Sequence, residues 1–347
     1  IFLDILTIIY WGLFMNEEWK RAVINLECAT DSEHVIDQLK RSEEWRLKYS
    51  KGEISFEEYT NQSRIKSRDV RITGTAIFIV HNERRYLLTA RHVLFDQYSA
   101  DREYQEMIAT HERMQIPLNN DKLAIYHQQK LFRIFDIIFR VPSLDEVAAE
   151  NGFRSPEFLM NLRGELPHFF PYTFSNPDLD LAIISLDQRN KDFAEQLIDL
   201  GYIPISSELI VDGPTEEGAE VFTVGFPGAT SLIGQMNQDP ANAQWSSSYV
   251  SLPVFSWGRV SMLHQQLPFY WCDMSIYPGN SGGPLIENGK LVGIVSAQAI
   301  LPIEGAPQLS TRIPFGRIIK TEFVKQLLKE QEAKDKARYN FVELGGA

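Results

Sequence analysis

Tyr277-Pro278-Gly279-Asn280-Ser281-Gly282-Gly283-Pro284-Leu285 sets a serine in a glycine-rich turn, and the apolar run Leu291-Val292-Gly293-Ile294-Val295 follows it. Serine is a poor nucleophile at its free pKa, so chemistry at Ser281 requires a base and a place for a developing oxyanion. Glycine opens backbone conformations closed to other residues and lets a substrate approach closely. A turn of this composition can aim the N–H groups of Gly279 and Ser281 at one spot. The same residues also build ordinary loops, so the rest of the chain must decide.

Outward from the turn, more strand-like runs appear. Gly74-Thr75-Ala76-Ile77-Phe78-Ile79-Val80 is a β-type run, His81-Asn82-Glu83-Arg84 a polar turn, and Tyr86-Leu87-Leu88-Thr89-Ala90 a second run; together they predict a hairpin. Further short strands are expected at 181–184, 221–225, 247–253, 258–262 and 291–296. Many short strands with Gly/Pro turns point to a mainly β barrel or sandwich. Residues 16–68 differ: they are rich in Glu, Lys, Arg and Gln, and Trp19, Val23 and Leu26 are spaced to share a helix face. Residues 99–176 interrupt the strand pattern, with helical-looking stretches at 101–114, 143–151 and 155–163, so a partly helical insertion is expected. After Pro314 a helical stripe is formed by Ile318, Ile319, Phe323, Leu327 and Leu328. The expected division is a helical extension over 1–70, a first β unit over 71–205 with 99–176 inserted, a second β unit over 206–318, and a C-terminal helix and tail over 319–347.

The totals exclude several function classes. At 347 residues, 44% apolar and 23% charged, the chain has the makings of an ordinary globular core. Its net charge of -12 argues against a nucleic-acid partner. Cys28 and Cys272 lie far apart and outside any CxxC or His/Cys cluster, which argues against a structural zinc site or a disulfide framework and fits a reducing, cytoplasmic location. Residues 1–14 are mostly apolar and precede Met15, a natural-looking start. They read as sequence from an upstream frame or from cloning; the alternative is a truncated membrane anchor or export segment.

A serine nucleophile needs an imidazole to take its proton and a buried carboxylate to fix that imidazole's tautomer. Of the 7 histidines, only His92 directly follows a β-run, in Leu88-Thr89-Ala90-Arg91-His92-Val93-Leu94. The small Thr89 and Ala90 would leave room for its ring. Asp180, in Asp178-Leu179-Asp180-Leu181-Ala182-Ile183-Ile184, opens an apolar strand, where it can accept from the imidazole; Asp178 is the competing acid. Taken singly, a boundary histidine and two turn-marking acids are the plainer readings.

Thr89-Ala90-Arg91-His92-Val93, Asp180-Leu181-Ala182-Ile183-Ile184 and Gly279-Asn280-Ser281-Gly282-Gly283-Pro284 occur in the order His, Asp, Ser, the order of the chymotrypsin template. With Val224-Gly225-Phe226-Pro227-Gly228 at a Gly/Pro turn, the chain resembles the trypsin-like serine peptidases over about residues 72–328, in particular their bacterial Deg/HtrA-type branch. The resemblance implies two six-stranded antiparallel β-barrels with the site in the cleft between them. It implies His92 as general base, Asp180 as orienting acid, Ser281 as nucleophile, and the N–H groups of Gly279 and Ser281 as the oxyanion hole. It puts Ser275, Ser296 and Gln298 at the primary pocket, with no acid at Ser275 to favour Lys or Arg. No metal and no organic cofactor are implied. The expected activity is hydrolysis of a polypeptide substrate through an acyl-enzyme. The alternatives are a catalytically silent interaction module, or a peptidase latent until a protein partner docks on the N-terminal helices or the 99–176 insertion.

The chain departs from the family's pattern in three places. His92 and Asp180 are 88 residues apart, against roughly 45 in the chymotrypsin template; the excess is the 99–176 insertion, expected near the cleft. Arg91 stands where the family often has a small residue or Asn, and is expected to point to solvent. With so few residues after the closing helix, no PDZ domain is expected. The oligomeric state is not specified by any motif.

Overall fold

The structure is a computed structural model and describes residues 16–31, 35–64, 68–130, 136–140, 157–160, 170–187, 191–235 and 249–343. Its first half is a sheet of eight strands: β1 (Val23–Asp31), β2 (Arg68–His81), β3 (Arg84–Ala90), β4 (Asp136–Arg140), β5 (Glu157–Met160), β6 (Tyr172–Phe174), β7 (Leu181–Ser185) and β8 (Ile205–Ser206). The order is β5-β4-β1-β2-β3-β7-β6, and β8 joins β2 in parallel. The β2–β3 hairpin forms as expected, turning at Asn82 and Glu83 with φ of 48° and 64°, the left-handed pair that matches the twist of a two-residue hairpin.

The second half contains β9 (Glu220–Gly225), β10 (Leu232–Gln235), β11 (Tyr249–Ser251), β12 (Val254–Met262), β13 (Phe269–Met274), β14 (Pro284–Glu287), β15 (Lys290–Ile303) and β16 (Ala306–Lys320). Strands β12-β13-β16-β15-β14-β9 close into a six-stranded barrel, and β10 pairs with β11 as a separate ribbon. The fold is thus mainly β with one closed barrel. The first half, expected as a second barrel, is an open sheet among the described residues. The reason lies in the insertion: β4 pairs along β1 from Leu26 to Ala29, and β5 pairs along β4, so the edge of β1 is already taken.

Residues 23–31 correct the helical reading of the N-terminal region. A helix, α1, covers residues 16–22 and buries Trp19, but the chain then enters β1. Ile24, Leu26 and Cys28 pack in one apolar cluster and Val23 in another, so both faces of β1 are covered. Helices α2 (Val35–Ser50) and α3 (Phe56–Arg64) do form, as a pair inserted between β1 and β2. After β3 come the one-turn α4 (Arg91–Leu94), then α5 (Gln97–Arg113) and α6 (Asn120–Lys130). The helix expected over 155–163 is instead strand β5 at 157–160, and the one expected over 143–151 lies outside the described residues. Helix α7 (Lys191–Asp199) precedes β8, and α8 (Glu322–Glu343) follows β16. Ile318 and Ile319, read as the start of the last helix, belong to β16.

One apolar cluster spans the molecule. It joins Ile77, Leu88 and Ile183 of the sheet to Ile286, Ile294 and Ile319 of the barrel, and α8 contributes Val324, Leu327 and Leu328. Cys28 and Cys272 are both buried free thiols. Among the described residues no helix is long and apolar enough to cross a membrane.

Candidate active site

Register alone brings His92 and Asp180 together. β3 and β7 are antiparallel neighbours, with Ala90 opposite Leu181. His92 leaves the end of β3 in α4, and Asp180 stands just before β7. Its Oδ2 accepts from His92 Nδ1 at 2.8 Å, and its Oδ1 accepts from the His92 backbone N–H at 2.9 Å. That second bond also satisfies a first-turn donor of α4, which has no partner within the helix. The competing acid, Asp178, is exposed; its carbonyl accepts from Arg317.

Asp180 is held with φ of 50°, a left-handed conformation that costs a non-glycine residue about 1–2 kcal/mol. The turn before it fixes this conformation, because the N–H groups of Leu179 and Asp180 both donate to Asn176 O. The Asp180 carbonyl accepts from Arg91 N at 3.0 Å. Burial by itself raises the Asp180 carboxyl, but the hydrogen bonds and charge of His92 and the hydroxyl of Ser296 outweigh it, and the group sits below the usual carboxylate range. The His92 side chain is 45% exposed and that of Asp180 15%, so the ring is reachable while the acid is shielded.

Ser281 sits in the turn between β13 and β14. Pro278 O accepts from Gly228 N at 2.9 Å, and Asn280 O accepts from Gly283 N at 2.8 Å. In a trans peptide the C=O and the following N–H point in opposite directions. Pinning these two carbonyls therefore turns the N–H groups of Gly279 and Ser281 the other way, and among the described residues neither donates to a protein acceptor. Gly279 has φ of 104°, and a Cβ there would stand 2.0 Å from Phe226 O; only glycine fits.

Thr75, which the sequence reading treated as one more strand residue, ties this turn to the sheet. Its Oγ1 donates to Gly279 O at 2.7 Å and accepts from Phe226 N at 3.2 Å, while its N–H donates to Ser281 O at 2.8 Å. Thr89 Oγ1 donates to Thr75 O at 2.7 Å. A Cβ on Gly282 would stand 2.1 Å from Thr75 O and 2.2 Å from Thr89 Oγ1. Thr89 thus packs directly against the serine turn.

His92, Asp180, Gly279, Ser281, Ser296 and Gln298 all line one cleft of about 750 Å³. Ser275 is exposed and takes no part in the lining; the next residue, Ile276, does. Ser296 is buried, and its Oγ donates to Asp180 Oδ2 at 2.6 Å, so its side chain holds the acid. Its carbonyl accepts from Ser281 Oγ at 3.2 Å. Among the described residues no hydrogen bond links Ser281 to His92. Gln298 Nε2 donates to Ile313 O at 3.1 Å. Arg91 corrects its expectation: it is buried, stacked 4.4 Å from the Phe95 ring and 5.6 Å from the Phe174 ring. Among the described residues none of the lining comes from 99–176.

The profile of the trypsin-like peptidase domain matches residues 74–294, which include His92, Asp180, Gly279 and Ser281. The chain belongs to the trypsin-like peptidases. No curated protein matches it in sequence. Among solved structures, the peptidase is similar to the crystal structure of the Rv3671c protease in its inactive form, at 12% identity over 91% of each chain with a TM-score of 0.40. A likeness that distant carries no argument of its own. In this trypsin-like peptidase, then, the cleft combines a shielded carboxylate, a reachable imidazole, a hydroxyl and two unengaged backbone donors.

Proposed function

We propose that the protein is a serine endopeptidase. Ser281 attacks the scissile carbonyl carbon, and His92 takes the hydroxyl proton and then delivers it to the departing amine, leaving an acyl ester on Ser281. Water, deprotonated by the same ring, attacks the ester, and the proton returns to Ser281. Asp180 keeps the ring's Nδ1 protonated and offsets the imidazolium charge. The N–H groups of Gly279 and Ser281 stabilise the oxyanion, with each such donor worth about 3–4 kcal/mol of barrier. The observation that carries this reading is the pair of hydrogen bonds that His92 donates to Asp180 in a cleft that Ser281 also lines.

A fluorophosphonate probe tests it. The wild-type chain is expected to label at Ser281, and Ser281→Ala and His92→Ala to lose both label and peptide hydrolysis, the latter by about 10⁴-fold or more. A folded wild-type chain that neither labels nor cleaves, with or without an added polypeptide ligand, would sink the proposal. The bond from Ser281 Oγ to Ser296 O favours a second reading, a peptidase at rest until its serine rotates toward His92. Labelling that speeds up on adding a polypeptide ligand would mark that state.

A further inference from the structure

The cleft runs against the charge of the molecule. The chain carries a net charge of -12, yet two guanidiniums, those of Arg312 and Arg317, line the cleft together with the imidazole of His92. Asp180, the one carboxylate among the lining residues, is already engaged by His92 and Ser296. Arg317 is partly committed: its Nη1 donates to Ser296 Oγ at 3.3 Å, its Nη2 donates to Asp178 O at 3.1 Å, and its guanidinium lies 4.5 Å from the Phe269 ring centre. Arg312 is exposed and, among the described residues, makes no hydrogen bond or ion pair.

Arg312 is also placed to be used. It stands opposite Ile300 in the β15–β16 ladder, and Ile300 lines the same cleft. The strand that carries Ile300 runs back through Gln298 to Ser296, beside Ser281. A guanidinium presents several N–H donors in a plane that matches a carboxylate. A cleft with an excess of one sign of charge also concentrates ligands of the other sign, even on a molecule of opposite net charge.

We infer that the cleft recognises a carboxylate of the substrate, an Asp or Glu side chain close to the bond that is cut. Arg312 binds it, and Arg317 supplies positive charge from behind. This rests on the serine-peptidase reading of the same site and adds to it the chemical class of substrate.

The test compares two peptides that differ only by Glu against Gln near the cleavage point, chosen after mass-spectrometric mapping of cuts in a peptide library. Wild-type kcat/KM is expected to favour the Glu peptide by about ten- to a hundred-fold, the range of a charge-assisted hydrogen bond. Arg312→Gln brings that ratio close to unity, and Arg312→Glu turns the preference toward a Lys peptide. Arg312 is exposed, so these variants keep the fold, which circular dichroism verifies. A chain that cleaves both peptides equally, or a ratio that survives in both Arg312→Gln and Arg317→Gln, overturns acid recognition and leaves the peptidase standing. Anisotropy of labelled Glu and Gln peptides on Ser281→Ala separates the two claims. Preferential binding of Glu by that variant, with no turnover by the wild type, overturns the peptidase and keeps the acidic subsite; equal binding overturns the subsite.

Discussion

Thr75 and Gly279 lie 204 residues apart, yet a single hydroxyl joins them and also receives Phe226 N–H. Thr75 is therefore a positioning residue: it touches the turn that carries the two free N–H groups, not the reacting atoms. It is fully buried, so Thr75→Val, which keeps the β-branched shape and removes the oxygen, leaves two backbone groups short of a partner. That costs about 1–3 kcal/mol of stability. In catalysis the expected loss is ten- to a hundred-fold in kcat with little change in KM, because only the oxyanion donors are disturbed. The affinity of a peptide boronate, which mimics the tetrahedral intermediate, should fall in parallel, and Thr75→Ser should restore most of both. A Thr75→Val enzyme with normal kcat and normal boronate affinity would reduce Thr75 to a packing residue. Nothing in the sequence around Thr75 signals this role, since its partners are distant in the chain and are polar backbone atoms with no side-chain signature.

At the scale of elements, what was legible followed from local pattern. The β2–β3 hairpin reads directly from two apolar runs around a polar turn. β7 reads from Leu181-Ala182-Ile183-Ile184, but local pattern did not say that its start lies beside the end of β3; His92 and Asp180 were paired through the order of the three motifs, and the β3–β7 register brings them together. β1 was illegible for a physical reason. It is covered on both faces, with Asn25 and Glu27 buried among its apolar neighbours, so the alternation that marks a half-exposed strand is missing. Nor do β4 and β5 carry a strand signal strong enough to stand out in sequence; β4 forms by pairing on β1, and β5 by pairing on β4. Helix α8 was legible as a helix but not as a clasp. Its Leu328 is buried in the cluster that holds sheet and barrel residues together. Leu328→Ala should cost about 2–5 kcal/mol, the usual range for a leucine removed from a tight core. Because the cluster is shared, the urea transitions followed by tryptophan fluorescence and by far-UV circular dichroism should shift together. A shift confined to one signal would mean that α8 stabilises only one half.

Across the whole molecule, α8 leaves the barrel at β16 and lays a polar ridge on the sheet. Lys334 Nζ donates to Tyr172 O at 3.2 Å and Thr173 Oγ1 at 2.9 Å, and Thr173 Oγ1 donates to Gln331 Oε1 at 2.7 Å. Asp335 accepts from Ser185 Oγ at 2.9 Å and from Gln331 Nε2 at 2.8 Å. Burial pushes its carboxyl above the usual range, and these donors only partly offset the push. Asp180, just before the other end of β7, is shifted the other way. The two make opposite contributions to stability against pH. The native state holds the Asp335 proton more tightly than the unfolded chain does. Its contribution is therefore full below the ordinary aspartate pKa of about 3.9 and is lost as pH rises through its folded value. Asp180 contributes above about 3.9 and loses its contribution as pH falls through its folded value. Urea midpoints measured from about pH 4 to 7.5 test the sign. Relative to Asp335→Asn, the wild type should gain stability as pH falls across the lower part of that range. Relative to Asp180→Asn, it should keep its advantage through the range and lose it only at lower pH. A wild-type curve parallel to that of Asp335→Asn would show that the Asp335 carboxyl titrates as it does in the unfolded chain, and that the ridge of α8 carries no buried charge at neutral pH worth removing.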